Sequence, residues 1–423
     1  MRPSALLLAF VVLPGTLAAQ AVPETAPASR VQQSYRRTPS FRNDPFRHVS
    51  IPHWGMVFGV GATAANNALN AEDFGAIILL GRNDSLRPGN IVDAMGLIPT
   101  GTGLRGSAQA EGGAYLGGPF GSHVSFGVSA RGTGYGGFQL DDDAVALFRD
   151  GNGTRQDFSL GSSKGTGLAT AEAGAHAIIR LGPMGSIDGA RVSLGFGGRY
   201  IRPIFYGHGG STLANGGILR ITSDTIRANF AVEQLFTPKP RDTMKGSGKA
   251  VDLMLRVEWP TAGLAFEALV ANLGTVTVPG VERSTATIDL TTTSLLDVGD
   301  AVDTTEFSVQ DTVSVDVTLP RIVRFTASSW ANRILQLDVS ATLPVTGEFE
   351  QPLAVDLGTT WRFIRTIPLR AGIILGGNQG IGYSGGIAIE GRNMFLQLGA
   401  QSLGGLFRKA TGVGARFELG FFF

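Results

Sequence analysis

The chain ends on an alternating stretch, Gly412-Val413-Gly414-Ala415-Arg416-Phe417-Glu418-Leu419-Gly420-Phe421-Phe422-Phe423. Every second residue, from Val413 to Phe423, is apolar. The residues between them include Arg416 and Glu418, set among glycines. A period of two places successive side chains on opposite faces of a β-strand. The stretch therefore predicts a strand with one apolar and one polar face.

The same alternation recurs along the chain, for example in Val251–Trp259 and in Leu353–Phe363. No stretch after residue 21 reaches the roughly eighteen apolar residues that mark a transmembrane helix. A closed sheet leaves no backbone group unpaired in lipid, and its strands present an apolar face to the bilayer. We therefore predict an all-β, transmembrane, antiparallel up-and-down β-barrel. A secreted soluble β-protein is the alternative, since sandwich strands also alternate.

The composition supports a chain of many strands. It holds 60 glycines in 423 residues, about twice ordinary usage, and only 16% of its residues are charged. Without cysteine it has no disulfide framework, no thiol nucleophile and no lipoprotein anchor. The 35 basic and 34 acidic residues nearly balance, which argues against a nucleic-acid partner.

The first part of the chain does not belong to the predicted barrel. Residues 1–21 have one basic residue, a short apolar run and a small-residue site, which together predict a cleaved secretory signal peptide. An uncleaved membrane anchor is the alternative. Residues 22–53 are rich in proline and arginine and show no periodicity. They are either a flexible periplasmic leader or a plug whose arginines meet carboxylates inside the barrel. The barrel itself is placed at 54–423.

Alternation and turn signals predict about fourteen strands, within a range of twelve to eighteen. They lie near 54–63, 105–116, 122–133, 166–180, 190–205, 247–259, 262–273, 320–330, 333–343, 352–363, 367–376, 382–390, 393–402 and 411–423. The connections alternate between short and long, as do periplasmic turns and external loops in bacterial barrels. This count treats Ile218–Gln234 and Thr285–Val317 as β-extensions of external hairpins. Counting them as membrane strands gives sixteen or eighteen.

Tryptophan residues mark one end of the predicted strands. The only four tryptophans, Trp54, Trp259, Trp330 and Trp361, all fall at the predicted periplasmic ends. Amphipathic indoles concentrate at membrane interfaces, so these residues predict an interface girdle. Trp330 fits least well, because it shares a face with Arg324.

Charged residues of both signs fall on the faces predicted to point inward. They form either an ion-paired network that fills the barrel or a polar pathway whose selectivity the charges set. The lumen-lining candidates are Glu172, Arg199, Asp252, Arg256, Glu258, Glu267, Arg362, Arg370, Arg416 and Glu418.

The catalytic motif that the sequence matches lies in a predicted structure that does not suit its chemistry. Gly382-Tyr383-Ser384-Gly385-Gly386 matches G-x-S-x-G, but a nucleophile elbow needs a strand-turn-helix and here strand is predicted on both sides. The chain has only five histidines and no cysteine to serve as base or ligand. We therefore predict no catalytic residues, no metal site and no cofactor, and hence not an enzyme.

Several of these stretches resemble one family. Gly248-Lys249-Ala250-Val251-Asp252-Leu253, followed by Ala271-Asn272-Leu273-Gly274, is similar to the paired-strand pattern of the FadL-like superfamily of long-chain fatty-acid transporters. Leu319-Pro320 and Pro368–Gly372 also fit that pattern. The chain looks most like uncharacterised members known only as a domain of unknown function. The resemblance covers roughly 246–423 well and 105–205 loosely, and it implies a fourteen-stranded barrel in the outer membrane.

Two functions follow as expectations. The first is a barrel in the outer membrane of a Gram-negative-type bacterium that binds or passes a small hydrophobic or amphipathic solute. The second is a structural or secretion-associated barrel with a filled lumen and protein-binding external loops. The expected partners are outer-membrane lipid, lipopolysaccharide and the barrel-assembly machinery, with a small hydrophobic solute under the first function.

The final strand generates a testable prediction. Resemblance to other outer-membrane barrels implies that Phe421 and Phe423 act as the assembly signal. Deleting Phe423 is expected to lower the yield of folded barrel much more than truncating the external loop 206–246 does. Folded barrel is measured as the fraction whose gel mobility shifts on heating, because a closed sheet resists detergent until heated. Equal yields from the two variants would contradict the assignment.

Overall fold

A computed structural model describes most of the chain after residue 43. The described residues are 44–49, 53–70, 96, 98, 100–101, 103–150, 157–159, 161, 163–181, 189–211, 217–222, 225–292, 302–304, 308–331, 334–343, 349, 352–364 and 366–423. The predicted signal peptide at 1–21 lies outside them, as does most of the segment 22–53.

The described residues form one antiparallel sheet of nineteen strands. The strands are β1 Gly55–Asn66, β2 Leu104–Phe120, β3 Val124–Leu140, β4 Asp157–Ser159, β5 Lys164–Leu181, β6 Arg191–Ser211, β7 Ile218–Ile221, β8 Ile226–Phe236, β9 Ser247–Trp259, β10 Leu264–Thr292, β11 Val302–Thr304, β12 Ser308–Thr318, β13 Ile322–Trp330, β14 Leu335–Thr342, β15 Ala354–Ile364, β16 Ile367–Gly376, β17 Ile381–Glu390, β18 Met394–Leu403 and β19 Gly412–Phe422. Helices α1 Asp142–Asp150 and α2 Pro240–Thr243 and a 3₁₀ turn at Phe407–Lys409 lie in connections.

Fourteen of these strands close into a barrel. The wall runs β1, β2, β3, β5, β6, β9, β10 and then β13 to β19, each paired with the next. The last strand pairs with the first along its whole length, from Gly55 opposite Phe422 to Ala65 opposite Gly412. The predicted closed antiparallel barrel and its count of fourteen strands are therefore confirmed.

The other five strands lengthen hairpins at one end of the barrel. β7 lies within the predicted extension Ile218–Gln234, and β8 begins within it and runs on to Phe236. β8 pairs with β6 and β10. β10 continues to Thr292 and pairs with β12. Both stretches are thus extensions of wall strands, as predicted. We call this end of the barrel the long-loop end, and the opposite end, with both chain termini of the wall, the short-turn end.

The two faces of the wall differ in exposure. On β9, the outward Val251, Leu253 and Leu255 are 37–46% exposed, whereas the inward Asp252 and Arg256 are 0% and 5% exposed. The same alternation follows β6, β18 and β19. The wall therefore has an apolar outer surface and a polar interior, the reverse of a soluble core.

Inward-facing glycines make room for long polar side chains inside the barrel. A Cβ on Gly197 would lie 2.1 Å from the His176 ring, and a Cβ on Gly358 would lie 2.1 Å from the Arg370 guanidinium. Real Cβ atoms do not approach other atoms so closely, so a side chain at either position would displace the polar group beside it. Part of the high glycine content thus follows from the packing of the lumen.

Helices are few and short. Helix α1 was not predicted; its first turn holds Asp142 and Asp143, and its last turn holds Arg149. Acidic residues at the start and basic residues at the end complement the helix dipole, which accounts for this local structure. Among the described residues, no helix has the length and apolar content needed to cross a bilayer.

Candidate functional site

The inner surface of the barrel carries all ten lumen-lining candidates. Strand register and burial place each of them inward, and nine lie in side-chain ion pairs: Glu172, Arg199, Asp252, Arg256, Glu258, Arg362, Arg370, Arg416 and Glu418. The tenth, Glu267, is buried on β10 directly opposite Arg256 in the strand register. The lumen is therefore lined by charges that meet one another.

Arg199 is the centre of the largest group, which we call the central ion network. Its guanidinium donates to Glu172 at 2.5 Å and to both oxygens of Asp252 at 2.9 Å. Its side chain is 1% exposed, and the carboxylates it contacts are equally buried. A buried carboxylate needs both an opposite charge and hydrogen-bond donors, and Arg199 supplies both to two strands at once.

Further side chains complete the central ion network. Arg131 pairs with Glu172 at 2.9 Å, and Thr133 and Thr170 donate to the same carboxylate. His176 Nε2 lies 3.0 Å from the second oxygen of Asp252. The network thus links β3, β5, β6 and β9 across the inner wall.

Asn272 is a further member of the network that the list of lumen-lining candidates does not contain. It has a φ of 62°, in the left-handed region, and sits where the pairing of β10 with β9 shifts register. Its backbone N–H donates to Asp252, and its side-chain oxygen accepts from Arg199 at 2.5 Å. Its side-chain nitrogen donates to the Pro320 carbonyl. Asparagine is enriched in the left-handed region, so the Asn272-Leu273-Gly274 motif was the available signal.

Smaller ion-paired groups line the rest of the wall. Arg416 donates to Glu111 at 2.6 Å and to Glu418 at 2.8 Å. Arg370 pairs with Asp338 and with Asp356. The remaining pairs are Arg256 with Glu258 at 2.5 Å and Arg362 with Glu390 at 3.0 Å.

Residues 44–49, which we call the inserted segment, lie inside the lumen nearer the short-turn end. Phe46 is 0% exposed and packs edge-on against the His176 ring at 5.4 Å between centroids. Arg47 donates to Gln397 at 2.7 Å and lies 3.2 Å from Glu418. These contacts reach inner faces on separate parts of the wall, β5 on one side and β18 and β19 on the other.

The rest of the inserted segment is also enclosed. The His48 ring lies 4.1 Å from the Tyr115 ring, and Val49 is 3% exposed. Wall glycines accommodate the segment, because a Cβ on Gly195 would lie 2.9 Å from Phe46 and one on Gly127 would lie 3.1 Å from Val49. The inserted segment therefore occupies the space inside the lumen that the missing side chains of these glycines leave open.

A cavity of about 240 Å³ lies in the long-loop half of the lumen. We call it the external cavity. Its walls come from the long-loop halves of β1, β2, β13 to β16, β18 and β19. Its lining combines polar and charged side chains with apolar ones, among them Ile322, Ile374 and Leu403. The polar part includes Gln109, Glu111, Arg324, Asp356, Gln401 and Arg416.

One carboxylate oxygen buried beside the external cavity has no hydrogen-bond donor among the described residues. Glu111 uses Oε1 to accept from Arg416, while its buried Oε2 has no hydrogen-bond partner among the described residues. A buried acceptor without a donor costs about 1–3 kcal/mol. A bound donor in the cavity would remove that cost.

The aromatic candidates occupy the short-turn end. Trp54, Trp259 and Trp361 lie at outward positions, and Trp54 Nε1 donates to the Pro119 carbonyl at 3.1 Å. Trp330 departs from the predicted girdle: its register partner is the inward, buried Gln336, so alternation turns it inward. Phe421 and Phe423 are outward and exposed.

The described residues contain no group of three or more histidine, aspartate or glutamate side chains placed to hold a metal ion. Ser384 of the G-x-S-x-G motif lies in the middle of β17, without the strand-to-helix turn that a nucleophile elbow requires.

No protein-family model and no curated protein matches the chain. The P. putida toluene transporter TodX is similar at 9% identity and a TM-score of 0.43, over 90% of this chain and 93% of that chain. A Pseudomonas aeruginosa FadL homologue is similar at 12% identity and a TM-score of 0.44, over 95% of both chains.

The translocator domain of the autotransporter NalP from Neisseria meningitidis is similar at 8% identity and a TM-score of 0.32, over 93% of this chain and 94% of that chain. The closed barrel of the present chain is established by its own strand pairing.

The central ion network generates a prediction about stability. Arg199→Met removes the cation between two buried carboxylates, and breaking a buried pair in this way typically costs about 3–5 kcal/mol. The urea concentration at the midpoint of unfolding should fall accordingly. The control is Arg191→Met at the exposed start of the same strand, where a change within about 0.5 kcal/mol is expected. Similar midpoints for the two variants would show that the network does not hold the wall together.

Proposed function

We propose that this barrel spans the outer membrane of a Gram-negative-type bacterium and binds, and on opening passes, a small amphipathic solute. The proposal depends on the external cavity, because it is a partly apolar space inside the lumen onto which several polar groups converge. A cleaved signal peptide at 1–21 and assembly through the barrel-assembly machinery belong to the same proposal.

The outer surface supports the membrane placement. The outward residues of β9 between Lys249 and Trp259 are Val251, Leu253, Leu255 and Val257, a continuous apolar row. This span covers roughly 25 Å along the barrel axis, at about 3.3 Å per residue and a tilt of about 40°. That height matches the apolar band of an outer-membrane barrel, about 25 Å.

The size of the external cavity limits the solute. Its volume of about 240 Å³ lies below the roughly 300–1,000 Å³ typical of pockets for drug-sized ligands. The solute that fills it is therefore small, and a long acyl chain would have to extend beyond the cavity.

The lining of the external cavity indicates the chemistry of the solute. Ile322, Ile374 and Leu403 offer contact to an apolar part. The unpaired Oε2 of Glu111 is buried beside the cavity, and it becomes an acceptor for a hydroxyl or amine once the carboxylate turns toward the solute. A molecule with one apolar and one hydrogen-donating end satisfies both, which is why we propose an amphipathic solute.

The short-turn half of the lumen controls passage in this proposal. The inserted segment and the pairs of Arg416 lie between the cavity and the short-turn end. A solute in the cavity reaches the periplasm only after residues 44–49 move. This gives residues 44–49, the described part of the predicted plug, the role of closing the lumen, with Arg47 as the arginine that meets a lumen carboxylate.

A second function is favoured by a different observation. The ion pairs and the inserted segment fill the short-turn half, which is what a structural or secretion-associated barrel with a closed lumen requires. Under that function the external loops bind a protein and the cavity carries no solute. Solute flux separates the two functions.

The cavity generates the first functional prediction. Ala354→Trp places an indole in the external cavity and should reduce the uptake of small amphipathic probes that carry a donor, such as benzylamine and hexylamine, by at least about tenfold, since the cavity has room for only one small molecule. The measurement is flux into liposomes that contain the purified barrel. Val355→Trp is the matched control, because the next residue points to the outside, and its flux should stay near that of the native protein.

Equal flux through the two tryptophan variants would place the route outside the cavity. No flux through the native barrel and none after deletion of residues 44–49 would favour the structural function.

The inserted segment generates the second functional prediction. Phe46→Ala combined with Arg47→Ala removes the buried ring and the contacts to Gln397 and Glu418. The native barrel should conduct poorly in planar bilayers, and the double variant should show larger and more frequent openings. His53→Ala, at an exposed residue before β1, is the control and should behave like the native protein. A large, stable conductance of the native barrel would show that the segment does not close the lumen.

A further inference from the structure

We infer that five basic side chains on the outer wall bind the phosphorylated head groups of lipids in the outer leaflet. We call this group the basic surface; it consists of Arg202, Lys239, Arg241, Lys245 and Lys249, all exposed. The inference rests on the membrane placement proposed above and is independent of the external cavity and its solute.

Two adjacent wall strands carry the lower part of the basic surface. Lys249 on β9 is the register partner of Tyr200 on β6, and both point outward. Arg202, the next outward residue on β6, has its guanidinium carbon 5.3 Å from the centre of the Tyr200 ring. Two cations and an aromatic ring thus share one patch of the outer face.

The connection between β8 and β9 carries the upper part. Arg202 donates to the carbonyl of Met244 at 2.9 Å and to that of Gly246 at 3.4 Å. At the other end of the connection, the hydroxyl of Thr237 accepts from the Tyr206 N–H and donates to its carbonyl. Thr243, in α2 between these anchors, is fully buried. The connection is therefore fixed against the wall and holds its three basic residues there.

The charges of the basic surface remain available to a ligand. One acidic residue, Asp242, lies among them and contacts Lys245 at 2.8 Å, yet the Lys245 side chain stays 72% exposed. An exposed pair of this kind is worth only about 0–1 kcal/mol, so it yields readily to another anion. Five cations against one carboxylate stand out in a chain whose charges otherwise nearly balance.

The height of the basic surface on the barrel places it at a membrane boundary. Lys249 is the first polar outward residue above the apolar row of β9, and Trp259 marks the opposite boundary. Met244, 46% exposed, lies next to Lys245. Cations directly above apolar side chains match a ligand with an anionic head and acyl chains, which a phosphorylated lipid has and a free anion or an acidic protein lacks.

The test measures lipid binding by the full barrel. Purified protein in a neutral detergent is mixed with diphosphorylated lipid A, monophosphorylated lipid A or phosphatidylethanolamine, and bound lipid is counted by native mass spectrometry. We expect affinity to follow phosphate number. Arg241→Ser combined with Lys249→Ser should weaken binding of the diphosphorylated lipid about thirtyfold, because each basic residue at an anionic surface contributes about 1 kcal/mol.

The matched control removes two charges far from the wall. Arg220→Ser combined with Arg227→Ser changes exposed residues of the external hairpin β7–β8 and should leave lipid affinity unchanged. The heat-dependent shift in gel mobility establishes that each variant is folded. Native protein titrated with salt gives a second measure, because screening should weaken binding by an exposed surface.

Three results would overturn the inference. They are equal affinity of the native protein for phosphatidylethanolamine, unchanged affinity of the Arg241→Ser and Lys249→Ser double variant, and affinity that does not respond to salt. Displacement of the lipid by an excess of inorganic phosphate would show that the surface binds free phosphate rather than a lipid head group. Absence of solute flux together with intact lipid binding would contradict the proposed solute function and leave the lipid-binding inference standing.

Discussion

The pairing of β1 with β19 is the constraint on which the rest of the structure depends. A sheet in hydrocarbon cannot leave a row of backbone N–H and C=O groups unpaired, so the wall has to close. Closure at fourteen strands fixes the girth of the lumen, and alternation then sends every second side chain into that fixed space. The ion pairs, the inward glycines and the inserted segment are consequences of filling it.

The charges inside the lumen are better understood as specifying the structure than as stabilising it. Burying Arg199, Glu172 and Asp252 together costs desolvation that their attraction only partly recovers, and an apolar lumen of the same volume would be comparably stable. An apolar lumen, however, would give the strands two apolar faces and no preferred side toward lipid. The network also fixes the bulge at Asn272, where the wall passes from the β9–β10–β13 pairing to the hairpin extension of β10 and β12.

Sequence periodicity predicted the positions of the wall strands closely, because apolar and polar residues alternate within each strand and this pattern is read without knowing the neighbouring strands. The strand predicted at 247–259 is observed as Ser247–Trp259. The strand predicted at 262–273 instead continues to Thr292, since an external hairpin that prolongs a wall strand keeps the same period. Which inward charges meet could not be predicted, because the partners lie on strands distant in sequence. Arg416 and Glu111 are 305 residues apart, and only barrel closure brings them together.

Two side chains, Arg416 and Glu418, connect the external cavity to the inserted segment. This connection determines how a solute could act on the lumen. Arg416 lines the cavity and donates to Glu418, and Glu418 contacts Arg47 of the segment. Withdrawing the segment would expose Phe46, at about 1.5–3 kcal/mol, and break charged hydrogen bonds of Arg47, at a similar cost each. The sum of these free energies keeps the open barrel rare, since each 1.4 kcal/mol lowers its population about tenfold.

A solute shifts the balance between open and closed barrel only by binding the open barrel more tightly than the closed one. The chain of contacts through Arg416 is where such a difference would arise, because a solute that drew Arg416 toward the cavity would weaken its contact with Glu418. Glu418 would then depend on Arg47 alone, which would hold the segment in place more firmly. A solute that instead donates to the unpaired oxygen of Glu111 leaves Arg416 on Glu418, so the site on Glu111 is the one compatible with opening.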